Sequence, residues 1–278
     1  MKKIKSFDGV KVAYNFHKGK NDHVLVFLHG VGGNWTTWKK EITYFKKKGY
    51  STLGIDFRGH GESDAPDEFE KYKTEFFAKD LGVVLQKEKI NKFSLIGHSI
   101  GGGVAICYES FHPEHEPQSI ILVEPSPVYP FKHDDLLHEG KFLTKLIRYI
   151  AYNTHIKNKY FPHMKDCDLS NYEHNKMDLL HHLVHVTPIR SLVYTLDQGE
   201  TYMKESKKKI ENTFKELKCP LLVISSENDK ITPPCLAKKI IKWDKLAKFY
   251  FVKNADHAVI VEKPQEISKA INEFLENN

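Results

Sequence analysis

Gly97-His98-Ser99-Ile100-Gly101 is the segment of this 278-residue chain best suited to covalent chemistry. A serine held in a tight strand-to-helix turn crowds the residues two before and two after it, and glycine at both places relieves the crowding. The helix that follows aims free N–H groups and a positive dipole end at negative charge developing during acyl transfer. Serine is a weak nucleophile near neutral pH, so it needs a base, and the base needs a third group to orient it. Of sixteen histidines, His257 is the expected base. It lies in a short loop between an expected strand, 249–252, and a final helix, which puts it at the sheet edge that carries Ser99. Asp229, in Glu227-Asn228-Asp229-Lys230, follows another expected strand at the same edge and is the expected orienting acid. Glu124, which ends the preceding strand, is a rival for that role, and Asp256 is too close to His257 in sequence to reach its ring. A cap on the helix starting near Pro233 is the other use open to Asp229. The second Gly-rich turn, His29-Gly30-Val31-Gly32-Gly33, lets backbone approach a ligand, and the N–H groups of Val31 and Ile100 are the expected oxyanion donors.

Positioning these groups takes strands that end at one edge. Short apolar runs bounded by turn residues occur at 24–28, 52–55, 93–96, 120–123, 221–225 and 249–252, preceded by an expected hairpin of 3–7 and 10–17 around Asp8-Gly9. Helical spacing at 38–48, 74–88, 101–111, 234–243 and 264–275 alternates with them, and several of these helices have proline in the first turn. The alternation predicts an α/β fold: a mostly parallel eight-stranded sheet with helices on both faces. It is interrupted at Glu124-Pro125-Ser126-Pro127 and resumes near Cys219-Pro220. Residues 1–125 and 219–278 are therefore read as the core and 126–218 as an inserted helical cap, with helices expected at 136–152, 172–186 and 189–209. Trp35 from the oxyanion turn and Tyr129 and Phe131 from the cap are the expected lining of an apolar substrate pocket; most other cap aromatics are read as the cap's own core.

Bulk properties narrow the partners. The composition, 40% apolar and 28% charged, is that of a globular domain. The net charge of +6 comes from 42 basic and 36 acidic residues that are largely interspersed, so no nucleic-acid partner is expected. The basic start Met1-Lys2-Lys3-Ile4-Lys5 lacks the apolar run of a signal peptide, and no stretch reaches the roughly 20 apolar residues of a membrane span. Four scattered cysteines without a C-x-x-C pair fit reduced thiols and a cytoplasmic location. His181 and His185 are spaced to share a helix face, but without H-E-x-x-H or a carboxylate partner no metal and no cofactor are expected. A monomer or homodimer acting on a small molecule is the expected form.

These segments together resemble the α/β-hydrolase family, in particular its carboxylesterase and monoacylglycerol-lipase-like members. The resemblance runs through Phe7-Asp8-Gly9, His29-Gly30, the 56–63 segment DFRGHGES, 97–102, Asp229 and the stretch from His257 to Pro264. It implies a serine hydrolase that cleaves carboxylic esters of small or medium acyl chain through an acyl-enzyme, with 56–63 supporting the loop below the site. Two departures sharpen the implication. Epoxide hydrolases and haloalkane dehalogenases of the family use aspartate where this chain has Ser99. Carbon–carbon bond hydrolases usually carry Asn before the serine and Trp after the histidine, where this chain has His98 and Ala258. A perhydrolase side activity and a slow ligand-sensing role are the family alternatives.

Overall fold

In the computed structural model, residues 1–112, 114–128, 149, 151–152 and 187–278 are described. Eight strands form one sheet in the order β1-β2-β4-β3-β5-β6-β7-β8. They are β1 Lys2–Lys5, β2 Lys11–His17, β3 Val24–Leu28, β4 Ser51–Asp56, β5 Phe93–His98, β6 Ser119–Val123, β7 Leu221–Ser226 and β8 Lys248–Val252. The β1–β2 and β2–β4 pairs are antiparallel and all later pairs are parallel, which is the expected mostly parallel sheet.

Strand alternation divides the apolar side chains between two cores. Val24, Val26 and Leu28 of β3 face one core, together with Leu95, Ile120, Leu122 and Val223. Helices α2 Thr74–Lys87 and α3 Ile100–Phe111 cover that face with Leu81, Val84, Val104 and Tyr108. Leu25 and Phe27 face the other core with Ile96, Ile121, Val123 and Ile224. Helix α1 Lys39–Lys47 and the C-terminal helix Pro264–Glu276 close that side through Ile42, Phe45, Ile267, Ile271 and Phe274.

The expected hairpin turn is corrected. The strands end at Lys5 and Lys11, and a five-residue loop replaces the two-residue turn. Ser6 N–H donates to Val10 O at 2.8 Å and Gly9, at φ +90°, donates to Ser6 O at 3.1 Å. The loop is longer because its side chains are used elsewhere: Ser6 Oγ donates to Asp80, and Asp8 pairs with Arg58 at 3.0 Å. The expected helix 189–209 is also divided, into α4 Ile189–Glu205 and α5 Lys207–Glu216. α5 packs beside α3 and sets Phe214 against Trp243, ring centroids 6.0 Å apart. The helices expected at 136–152 and 172–186 fall mainly or wholly outside the described residues.

Arg58 ties the loops beneath the sheet edge together. Its side chain is fully buried and binds Asp80 through two nitrogens, Nε to Oδ2 at 2.7 Å and a terminal nitrogen to Oδ1 at 2.6 Å. It also bonds Asp8 and the Lys71 carbonyl, each at 3.0 Å. Burial raises the Asp80 carboxyl, and its bonds to Arg58 oppose that rise. Replacing Arg58 by leucine strands a buried carboxylate and costs about 3–5 kcal/mol in urea unfolding. Replacing Asp80 by leucine as well recovers most of the loss; an additive penalty in the double variant would contradict a paired charge.

Candidate active site

The elbow around Ser99 has the steric form its residues require. Ser99 sits at φ 53°, ψ −119°, between β5 and the first residue of α3. A Cβ on Gly97 would stand 2.5 Å from the Gly101 carbonyl, and one on Gly101 would stand 2.4 Å from Leu28 O. Such distances exclude any side chain, so the two glycines are what allow β5 to turn sharply into α3 against the end of β3. Ser99 N–H is fixed to Val123 O at 2.9 Å, which anchors the turn to β6. Ser99 is half-buried, and its Oγ makes no hydrogen bond among the described residues.

The loop after β3 folds back over this turn. His29 Nδ1 bonds Gly30 O at 2.7 Å, and its Nε2 accepts from Phe57 N–H at 3.0 Å. Burial, with the neighbouring His60, pushes His29 well below the ordinary imidazole range, so the ring is a neutral bracket between two loops. Gly33 N–H also reaches Gly30 O, at 3.1 Å. Gly30 lies so close to the elbow that a Cβ there would meet His98 Nδ1 at 2.9 Å and Ser99 Cβ at 3.5 Å. The N–H groups of Val31 and Ile100 have no acceptor among the described residues, so both are available to a ligand oxygen. Asp56, buried at the end of β4, accepts from Trp35 N–H at 2.8 Å and Glu62 N–H at 2.9 Å, joining this loop to the 56–63 segment. Thr187, where the described chain resumes, donates to Gly32 O at 3.1 Å.

At the far side of the elbow, His257 Nδ1 and Asp229 Oδ2 are 2.8 Å apart. Asp229 follows β7 and His257 follows β8, and the loops that carry them are joined by an Asn228 N–H to Ala255 O bond of 2.9 Å. Asp229 is buried while the His257 side chain keeps 19% of its surface exposed, so the acid is sheltered and the base is reachable. Burial works against ionisation of Asp229. The bond and charge of His257, with the Thr232 hydroxyl, outweigh it and hold the carboxyl well below the usual range. Oδ1 accepts Ile231 N–H at 2.8 Å and Thr232 N–H at 2.9 Å, and Thr232 Oγ1 donates to Oδ2 at 2.6 Å. Asp229 does not cap the helix that follows, Pro234–Trp243, whose cap residue is Pro233. Asp256 accepts Ala258 N–H at 2.9 Å, the turn-forming use open to an aspartate two residues upstream.

Three neighbours of this constellation escaped the reading of the chain. Thr232 supports Asp229 and lies 3.3 Å from His257 Nδ1. His98 bonds the His257 carbonyl through Nε2 at 2.8 Å and sets its ring, tilted, with its centroid 5.0 Å from that of His257. Burial, with the charge of His257, pushes His98 down to about 3, leaving a neutral ring that donates from Nε2. His29 brackets the oxyanion loop. Their only signal was adjacency to motif residues. Trp35 is half-buried, with its ring over Gly54 of β4; Tyr129, Phe131, His181 and His185 lie outside the described residues. A wide cleft of about 650 Å³, lined by Lys20, His23, Lys48 and Lys92, opens at the strands' opposite, N-terminal edge. Among the described residues no cluster of three metal-ligating side chains occurs, and no helix is long and apolar enough to cross a membrane.

The sheet order and the helices on its two faces are those of the α/β-hydrolase fold. The alpha/beta hydrolase fold family matches residues 23–157. Epoxide hydrolase 3 of Xenopus tropicalis is 23% identical over 280 residues, spanning 97% of this chain and 76% of that protein. The esterase EaEST of Exiguobacterium antarcticum superposes with a TM-score of 0.77 at 19% identity, covering 99% of this chain and 98% of that one. A carboxylesterase structure from the thaumarchaeon Nitrososphaera gargenis gives 0.76 at 23% identity, with coverage of 99% and 98%. The chain has the α/β-hydrolase fold and is similar to esterases and other hydrolases that share it.

Thr232→Val removes a buried donor to an ionised carboxylate, a loss of about 1.5–3 kcal/mol near neutral pH. Because the Asp229 carboxyl is depressed in the fold, its stabilisation is present above its ordinary value and disappears as pH falls through the folded one. The stability gap between wild type and Thr232→Val in urea titrations therefore narrows on acidification below about pH 4; a gap that stays constant would remove Thr232 from this role.

Proposed function

We propose that the protein is a serine esterase that cleaves small- or medium-chain carboxylic esters through an acyl-enzyme on Ser99. The observation that carries this reading is the 2.8 Å pairing of His257 Nδ1 with Asp229 at the sheet edge that holds the Ser99 elbow. That pairing fixes the imidazole tautomer, leaving Nε2 free to accept a proton. Ser99 Oγ attacks the ester carbonyl carbon as His257 Nε2 takes the hydroxyl proton. The carbonyl oxygen becomes an oxyanion facing the N–H groups of Val31 and Ile100, with the α3 N-terminus adding its positive end. Collapse breaks the carbon–oxygen bond of the ester, and His257 returns its proton to the leaving alcohol. Water repeats the sequence on the acyl-enzyme and releases the carboxylic acid.

The epoxide hydrolase relative shares the fold but supplies no precedent for Ser99 as the attacking group. Epoxide hydrolases of this family attack with an aspartate, whose ester to the opened ring is then hydrolysed at the aspartate's own carbonyl. A serine adduct of an epoxide is an ether that offers water no such carbonyl. This favours acyl transfer. The reading includes a helical cap over residues 126–218, a pocket lined by Trp35, Tyr129 and Phe131, a small-molecule ester as partner, a monomer or homodimer, and a cytoplasmic setting. Cys107, Cys219 and Cys235 as free thiols support that setting.

Hydrolysis of p-nitrophenyl esters from acetate to palmitate, with Ser99→Ala alongside, tests the proposal. Steady turnover with a short- or medium-chain optimum is expected, falling by about 10³-fold or more in Ser99→Ala. Undiminished turnover in the alanine variant would refute it. A single slow burst from wild type would point instead to a ligand-sensing member of the family, and steady turnover of a perhydrolase or carbon–carbon substrate alone would move the chemistry there.

A further inference from the structure

Glu124 stands beside the site in a state that side-chain packing does not explain. It follows β6 at φ 49°, a left-handed conformation that a non-glycine side chain adopts only under constraint, and its side chain has no exposure. Its N–H donates to Ile224 O at 2.9 Å and its carbonyl faces Thr232 Oγ1 at 3.1 Å, so the residue is locked in place. One carboxyl oxygen, Oε1, accepts from Ser226 Oγ. The other, Oε2, has no donor among the described residues. A buried carboxylate oxygen left without a donor is costly, whereas a protonated one becomes a donor itself.

The acceptor beside it is Asp229: Thr232 Oγ1 joins the two residues, 3.1 Å from the Glu124 carbonyl and 2.6 Å from Asp229 Oδ2, and the two carboxyls act directly on each other. Neighbouring buried carboxyls share a proton, because two like charges side by side cannot both persist. The donor count decides which keeps it. Asp229 already receives Ile231 N–H, Thr232 N–H, Thr232 Oγ1 and His257, while Glu124 receives Ser226 alone.

We propose that Glu124 is a neutral carboxylic acid that donates its proton to Asp229, a positioning residue that leaves Asp229 as the one ionised carboxylate facing His257. Its catalytic consequence rests on the esterase reading; its protonation state does not. Burial, then the Asp229 charge and hydrogen bond, push Glu124 up to about 9, with Ser226 opposing. Asp229, from the loop after β7, is the charged group acting on it among the described residues; Ser226 and Thr232 contribute uncharged contacts. If Glu124 were ionised, two negative charges would compete at the acid end of the triad.

The first test is infrared spectroscopy of the full chain with isotopically labelled glutamate. A protonated-carboxyl stretch is expected at neutral pH in wild type and in Ser99→Ala, and the part of it that Glu124→Gln removes is expected to disappear from wild type above about pH 9, apart from any contribution of buried Glu41. Stability gives a second readout. An acid raised in the fold contributes stability that is present below its ordinary value and lost as pH rises through the folded one. Glutamine does not titrate, so Glu124→Gln gains on wild type from about pH 5 to about pH 9. In ester hydrolysis, Glu124→Ala lowers kcat/KM by about ten- to a hundredfold, and Glu124→Gln, which keeps an N–H donor, restores much of it and removes a loss of activity setting in near the alkaline end. An unchanged band in Glu124→Gln, or stability curves that run parallel across that range, would overturn the proposal. A band that behaves as expected in a chain with no ester turnover would leave it standing and refute the esterase reading alone.

Discussion

The close approach of three backbone segments at the C-terminal edge of the sheet governs the site. β5 can turn into α3 at Ser99 only because Gly97 and Gly101 bring no side chain into gaps of 2.4–2.5 Å. The same approach carries the end of β3 against the elbow, so the loop from His29 to Gly33 has to lie over Ser99. Ser99 and the backbone of Val31 and Ile100 are thereby placed by one packing event. The bond from Ser99 N–H to Val123 O extends the constraint to β6, whose next residue is Glu124. Backbone contacts of this kind cost no side-chain entropy to hold, which suits groups that must not move during reaction.

Around this rigid centre the polar groups are arranged by burial. Asp229 is sheltered and surrounded by donors, His257 is partly exposed, and His98 and His29 are neutral brackets whose ring nitrogens serve backbone atoms. Imidazoles that stay neutral bring no extra positive charge near His257. The same economy holds below the edge, where Arg58 is matched to Asp80 and Asp8 and Asp56 fastens two loops through N–H groups. The wide cationic cleft lies apart, at the strands' other end.

The strands were legible because each is short, apolar and bounded by turn residues. Which face each residue takes was not legible in continuous apolar runs such as 24–28; in the fold, period-2 alternation sends Leu25 and Phe27 to one core and Val24 and Val26 to the other. Ser99, Asp229 and His257 were legible because each follows a strand and so falls at one edge. What was not legible depended on contacts distant in sequence. The Asp8-Gly9 pair signalled a tight hairpin, but Asp8 is drawn to Arg58, fifty residues away, and the loop lengthens to allow it. Thr232 looks like an ordinary residue before Pro233, and only the fold brings its hydroxyl to Asp229. Glu124 was seen as a rival acid; that its carboxyl faces Asp229 while His257 takes Asp229 as partner is a matter of side-chain direction, which periodicity does not encode.

Backbone strain supplies an independent reason to treat this edge as functional. The non-glycine residues with positive φ, among the described residues, are Lys89, Ser99, Glu124 and Asn254. Lys89 follows the end of α2, where a left-handed residue commonly terminates a helix. The other three follow β5, β6 and β8: Ser99 at the elbow, Glu124 at the end of β6, and Asn254 in the loop that carries His257. Strain that served only chain reversal would be spread over turns at both ends of the sheet and would fall to glycine or asparagine. Here serine and glutamate bear it alongside Asn254, and each of the two sets a side-chain oxygen at the edge that holds Asp229 and His257. The fold accepts that cost because β3, β6 and β7 over-determine the backbone on either side, so the energy of the sheet is what holds the reactive oxygens in place.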